Sequence, residues 1–297
     1  MKQKPAILLA VALLAVTAKS FAQDEDLLKG IVDSTSKKEY VFNAFKSSRV
    51  IMSHSMEMLR PGVLDFRILH RFGNVNQGIG EFFGLDKATI RLGLDYGISS
   101  NLTVGVGRGT YKKEVDGFIK YRLIQQSTGP KSLPFSLVVV VGSTVVTAPW
   151  SDPTRPNLFS SRLAYYFQTV LGRKFSEQLT LQVSPTLLHR NFVETTADPN
   201  DLYATGIGGR LKLTKRISMN VDYYYVFNQN EANNVHNPLS IGFDIETGGH
   251  VFQLHFTNAV GMNERVFLTE TSNSWGRGDI QFGFNISRAF QIKKKKE

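Results

Sequence analysis

The chain has 297 residues, a formal net charge of +10 and no cysteine. Without thiols no disulfide can staple the fold and no lipoprotein processing can occur, and no segment after the N-terminus reaches 18 consecutive apolar residues, so no transmembrane helix is expected. An export signal at the N-terminus argues against nucleic acid as the partner of the positive charge, which reads instead as solvated tails, turns and strand faces.

The N-terminus begins with Lys2 and Lys4, continues through the apolar run 6–16 and reaches the small-x-small site Ser20-Phe21-Ala22. This is the pattern of a secretory signal peptide over residues 1–22, cut before Gln23. The run is too short to cross a hydrocarbon core of about 30 Å as a helix, which disfavours a membrane anchor. Residues 23–60 follow, with a charged run and then VFNAFKSSRVIMSHSMEML. They read as a partly helical periplasmic lead-in and a candidate surface for a periplasmic partner.

From Val63 onward the pattern changes. GVLDFRILHRFG alternates, with Leu64, Phe66, Ile68 and Phe72 apolar and Asp65, Arg67 and Arg71 charged between them. Such alternation marks a strand with two unlike faces. Twelve segments of this kind are expected at 63–72, 88–98, 102–111, 115–125, 135–146, 161–172, 179–190, 203–214, 217–226, 240–246, 251–257 and 279–290. Their lengths suit tilted transmembrane strands. One face can be followed as apolar, for example Ile90, Leu92, Leu94 and Tyr96, while the other is polar or glycine. The segment 135–146 is apolar on both faces, where the rule is weakest. The last segment is followed by the basic tail 291–297.

The connections alternate in length. Those at 73–87, 147–160, 191–202, 227–239 and 258–278 are long, and those at 99–101, 173–178, 215–216 and 247–250 are short, the asymmetry of an outer-membrane barrel. Two break the rule: the turn near Lys112-Lys113 is short and 126–134 is long, as a miscount by one hairpin would produce. The expected fold is therefore an all-β, transmembrane, antiparallel up-and-down barrel of about twelve strands over residues 61–290. A soluble barrel with the apolar face inside is the competing arrangement.

The stretches AFKSSRVIMSHSMEML, GVLDFRILHRFG, EFFGLDKATIRLGLDYGIS, GFIKYRLI and GDIQFGFNISRAF together resemble an uncharacterised family of outer-membrane β-barrel proteins of Gram-negative bacteria. The resemblance covers most of the mature chain. It implies fold and an outer-membrane location and brings no reaction or catalytic residue. Outer-membrane barrels commonly end on an aromatic residue; Phe290 fits that role, but seven residues follow it.

The expected lumen-lining residues are Asp65, Arg67, Arg71, Arg91, Asp95, Asp116, Lys120, Arg122, Arg162, Arg210, Lys212 and Asp222. They read either as the wall of a narrow channel for small polar or anionic solutes or as a salt-bridged plug in a structural, partner-binding barrel. A third reading is a lipid-modifying hydrolase using His54, His70 or His189, which would need a serine within hydrogen-bond reach. The favoured reading is non-enzymatic, in contact with outer-membrane lipid, with no metal and no cofactor, since no His or carboxylate cluster has a ligand spacing. The glycines of GVGRG read as a strand face kept small for the lumen, GIGEFFGLD as a loop helix that folds into the mouth or meets a partner, and TAPWSDPTRP as a rigid extracellular cap.

Overall fold

Each alternating segment forms a strand that pairs antiparallel with its neighbour along the chain, so the sheet is built from hairpins alone. The computed structural model describes residues 37–150, 154–230 and 234–293; the expected signal peptide and the tail residues 294–297 lie outside the described residues. The strands are β1 (Val63–Asn74), β2 (Ala88–Gly97), β3 (Leu102–Gly109), β4 (Val115–Ile124), β5 (Ser136–Val145) and β6 (Leu163–Lys174). They continue as β7 (Leu179–Arg190), β8 (Asp201–Lys212), β9 (Ile217–Val226), β10 (Leu239–Thr247), β11 (His250–Thr257) and β12 (Gln281–Gln291). β12 returns to β1 in a register running from Gln291 opposite Val63 to Gln281 opposite Asn74, with one irregularity between Gln281 and Gly283. The twelve strands thus close into a barrel with no free edge.

The two faces of this wall settle the choice of solvent. Along β1, Asp65, Arg67, Leu69 and Arg71 are buried inside, while Leu64, Phe66, Ile68, His70 and Phe72 turn outward. Outward-facing Leu92, Leu94, Ile119, Leu123, Phe167, Leu181, Ile207, Leu254 and Phe256 are all exposed on the outer surface. A continuous apolar belt of that kind would aggregate in water and is what a bilayer requires. The interior holds Arg71, Arg91, Lys120 and Asp222 at 0–1 % exposure. The soluble arrangement, apolar inside and polar outside, is overturned by this inversion.

Loop lengths follow the expected asymmetry, and the two exceptions are real features of a twelve-strand barrel. The β3–β4 connection is a short turn through Tyr111–Lys113. The long β4–β5 connection carries Ser127–Thr128, which pairs with Glu39–Tyr40 in a two-stranded ribbon. Val41 N–H donates to the Gln126 carbonyl at 2.9 Å, extending that ribbon. The extra length on the short-turn side is therefore a clamp on the entering chain.

Three further expectations change. Of the segment 23–60 read as a periplasmic lead-in, residues 23–36 lie outside the described residues, and residues 44–58 run inside the barrel, where no helix forms among them. The GIGEFFGLD stretch makes 3-10 turns over Ile79–Gly84, with Phe82 and Phe83 at positive φ and exposed, so it does not fold into the mouth. Finally, β5 is apolar on both faces because its inner residues Val138 and Val140 belong to the same buried apolar cluster as Val50, Ile51, Met52 and Met56.

Ile119, in the middle of β4 and exposed on the apolar belt, tests the facing directly. Ile119→Arg is expected to lower the unfolding free energy in phospholipid vesicles by about 2–4 kcal/mol, read by urea titration of the refolded barrel. A change within about 0.5 kcal/mol would contradict the lipid-facing assignment.

Candidate functional site: an occupied lumen

A barrel of this size encloses more space than its own wall side chains fill, and two segments of the chain enter to fill it. The first is a hairpin from the N-terminal side. Val50 N–H donates to the Ser53 carbonyl at 2.9 Å and Ser55 N–H to the Ser48 carbonyl at 3.0 Å, with Arg49 bridged to His54. Ser48 to Met56 are buried throughout, and Ile51, Met52, His54 and Ser55 are fully so.

The tip of the hairpin is held by a single carboxylate. Asp222, inward-facing on β9, accepts the backbone N–H groups of Ile51, Met52 and Ser53 at 3.2, 2.8 and 2.9 Å through Oδ2, and the Ser53 hydroxyl at 2.9 Å through Oδ1. A turn leaves its amides pointing outward together, and an anion satisfies all of them at once. Amide side chains of the wall take further backbone groups. Gln182 donates to the His54 carbonyl at 2.7 Å and accepts from Met56 N–H at 2.9 Å. Gln253 donates to the Val50 carbonyl at 2.6 Å, and Asn285 to the Ile51 carbonyl at 3.1 Å.

The expected lumen residues divide by what they touch. Arg67 donates to the hydroxyls of Ser47 and Ser48 at 2.6 and 3.0 Å, and Ser48 in turn donates to Asp95 at 3.1 Å. Lys120 donates to the carbonyls of Ser48 and Glu57 at 3.1 and 2.6 Å, and Arg210 to the Ala44 carbonyl at 3.1 Å. These residues, with Asp222, grip the hairpin. Asp65 accepts from Ser287 at 2.6 Å, Arg91 pairs with Asp116, and Arg122 donates to the Ser100 carbonyl at 2.7 Å. Arg71 donates to Asn285 at 3.2 Å and to the His70 carbonyl. Gly107 is what lets the Arg91 guanidinium lie against β3, since a Cβ there would collide with it.

Arg162 and Lys212 do not join this set. Arg162 precedes β6 in a 3-10 turn and donates to the carbonyls of Val146 and Ala148 at 2.9 and 2.7 Å, at the loop end of the barrel. Lys212 is the half-buried last residue of β8. Both sit where a strand ends, and there the two-residue period no longer fixes a facing.

The second insertion comes from the β11–β12 connection. Its short helix α1 (Glu264–Thr269) is buried along its whole length, capped by Asn263, whose side chain accepts from Val266 N–H. Ala259, Phe267 and Leu268 are fully buried and share the apolar cluster of the hairpin. The two insertions meet where Arg49 pairs with Glu264 at 2.9 Å, with His54 Nε2 3.4 Å from the same carboxylate and 3.2 Å from the Tyr166 hydroxyl. Burial, reinforced by the Arg49 charge, holds His54 neutral, well below the ordinary imidazole range. Burial opposes the charge on Arg49 too, but Glu264, Tyr166, Asp95 and Asp116 together outweigh it and keep the guanidinium ionised.

Above α1 lies an ion-pair network that the sequence reading did not include. Arg265 pairs with Glu114 and with Glu270 at 2.6 Å, and Glu270 also accepts from Lys112 at 2.8 Å and from the Tyr111 hydroxyl at 2.9 Å. The length of the 258–278 connection was the one signal of this insertion in the sequence. Among the described residues no serine hydroxyl bonds the ring of His54, His70 or His189. His70 stacks on Phe284 at 4.7 Å, and His189 bonds Asp201 at 2.7 Å on the outer face.

The family described as "Membrane bound beta barrel domain (DUF5777)" matches residues 45–290. The chain belongs to this family. The match starts at Phe45, so the hairpin is part of the family's domain together with the strands. With the apolar belt, membership places the protein in the outer membrane. No curated protein matches the chain. Solved structures with a similar fold include the NanC porin, 9 % identical with a TM-score of 0.49 over 78 % of this chain and 100 % of that one. The KdgM porin is 7 % identical, with a TM-score of 0.45 over 77 % and 99 %. The outer membrane phospholipase A of Escherichia coli is 13 % identical, with a TM-score of 0.44 over 76 % and 92 %.

The network above α1 makes the loop cap acid-sensitive. Burial works against the Glu270 charge, but Arg265 and Lys112 more than offset it and hold the carboxyl down to about 2, against an ordinary 4.5. A depressed carboxylate contributes its stability above the unfolded value and loses it as pH falls toward the folded one. The cap is therefore expected to weaken by up to about 3 kcal/mol between pH 4.5 and pH 2, read as amide hydrogen exchange in residues 264–271. Glu270→Gln should abolish that acid dependence, and an unchanged profile would show that Glu270 does not supply it.

Proposed function

We propose that the protein is a normally closed outer-membrane channel, in which the N-terminal hairpin is the gate and small polar or anionic solutes pass when it leaves the lumen. The observation that carries this reading is the way the hairpin is held. Its tip hangs on polar contacts to Asp222, Gln182, Gln253 and Asn285, each of which water could replace once the segment moved. The wall behind it is lined by Arg67, Lys120, Arg210, Asp95 and Asp222, a surface fit for water and ions. The hairpin is also clamped at its base by the Glu39–Tyr40 ribbon, so it can withdraw without being lost.

A permanently plugged barrel is the second reading, favoured by the apolar cluster that Val50, Ile51 and Met52 share with Phe267 and Leu268. Conductance across planar bilayers separates the two. The refolded chain is expected to be closed most of the time, and Asp222→Ala, which leaves three tip amides without their acceptor, should raise open probability about tenfold or more, since losing charged hydrogen bonds costs about 1.5–3 kcal/mol each. Arg67→Ala in that background should reduce anion preference. If Asp222→Ala stays folded, by heat-modifiable migration, and stays silent, the gate reading fails and the static plug stands.

A further inference from the structure

The outward loops enclose a cavity of about 600 Å³ on the far side of α1 from the hairpin, with Lys112, Trp150, Arg162, Arg190, Arg265 and Glu270 among its walls. Its volume lies within the range of small-molecule sites. Its charge is unevenly compensated. Glu270 is committed to Lys112, Arg265 and Tyr111. Asp198 is engaged by the Thr195 amide and hydroxyl and by Asn230. Glu194 stands at the exposed rim.

Two guanidiniums form no ion pair among the described residues, although Asp198, Glu270 and Glu194 lie within electrostatic reach of Arg190. Arg162 donates to Asn157 and to the carbonyls of Val146 and Ala148, and Arg190 donates to the Pro199 carbonyl. Arg190 Nε is buried without a hydrogen-bond partner. On the floor, Arg265 is only 7 % exposed, and its Nη2 is likewise buried and unpartnered. Unsatisfied buried donors of this kind are costly unless a ligand completes them. Guanidinium forks match planar oxyanions better than any neutral acceptor. The aromatic side is prebuilt: Trp150 packs edge-on against Phe192 at 4.9 Å, the Arg162 guanidinium lies 5.3 Å from the Trp150 ring, and Arg155 covers Phe192 at 3.9 Å.

We propose that this cavity is an extracellular binding site for a small solute bearing a carboxylate or phosphate, of roughly monosaccharide size, held by Arg162 and Arg190 with Arg265 in the floor. The site lies above α1 and is complete with the hairpin in place, so it stands whether or not the hairpin acts as a gate. It would be the first contact of an anionic solute with the closed barrel.

The test is isothermal titration calorimetry of the full chain in detergent with glucuronate, glucose 6-phosphate and glucose. The two anions are expected to bind at least tenfold more tightly than glucose, with affinity falling as salt is raised; whichever binds better identifies the oxyanion. Arg162→Gln and Arg190→Gln should each weaken anion binding at least fivefold, and Arg162→Lys, which keeps charge and loses the fork, should fall between. Heat-modifiable migration shows whether each variant barrel is folded. Equal binding of all three solutes, no binding to the folded chain, or anion binding unchanged in both glutamine variants would overturn the site.

Discussion

Closing twelve strands creates a cylinder whose inner face, by the two-residue period of each strand, must differ from its outer one. With lipid outside, the inner face takes the polar residues, and in this chain they include buried guanidiniums, a lysine and several aspartates. Such a wall needs hydrogen-bond partners, from water or from the chain itself, and at this diameter it cannot close on itself. The rest of the structure answers that demand. The hairpin of residues 44–58 enters from one end and α1 from the other, and the carboxylate of Asp222 fixes the first while Arg49 and Glu264 join the two.

Both insertions solve the same problem, the supply of hydrogen-bond partners inside a barrel, with different chemistry. The hairpin offers backbone amides and carbonyls at a turn, and the wall meets them with one carboxylate and a ring of amide side chains. The α1 segment offers the charges of Arg265 and Glu270, and the rim meets them with Glu114, Lys112 and Tyr111. An apolar cluster runs between, drawing on Val138 and Val140 from the wall, Met52 and Met56 from the hairpin and Phe267 from α1. The lumen is thus neither a salt-bridged plug of wall side chains nor an open pore. It is a small core of its own, with polar contacts at its margins.

The outer-membrane setting, the strands and their facing were legible because they rest on local periodicity. Val63–Asn74 and Ala88–Gly97 each carry their alternation within one strand length, and two adjacent strands need no information beyond the turn that joins them. The residues lining the hairpin were harder to interpret. Gln182, Gln253 and Asn285 stood on the polar face of their strands, yet an amide side chain in a wall has no role until something reaches it. Asp222 looked like any other inward carboxylate, although it accepts four hydrogen bonds from residues about 170 positions away. The clue that could have exposed the hairpin was the run of apolar inward residues, Val138 and Val140 on β5 with Tyr166, Leu188 and Tyr224 on β6, β7 and β9, which need an apolar partner in the lumen.

The sequence by itself determined a chain without disulfides, about twelve strands with two unlike faces and the alternation of long and short loops, since all of these follow from composition, period and local turn chemistry. Only the tertiary structure decided that residues 44–58 lie inside the barrel, that the 258–278 connection folds back to meet them, and that Arg162 belongs to the mouth. Those outcomes depend on contacts between segments far apart in the chain. They exist only once the last strand has paired with the first and a closed lumen has formed for other residues to fill.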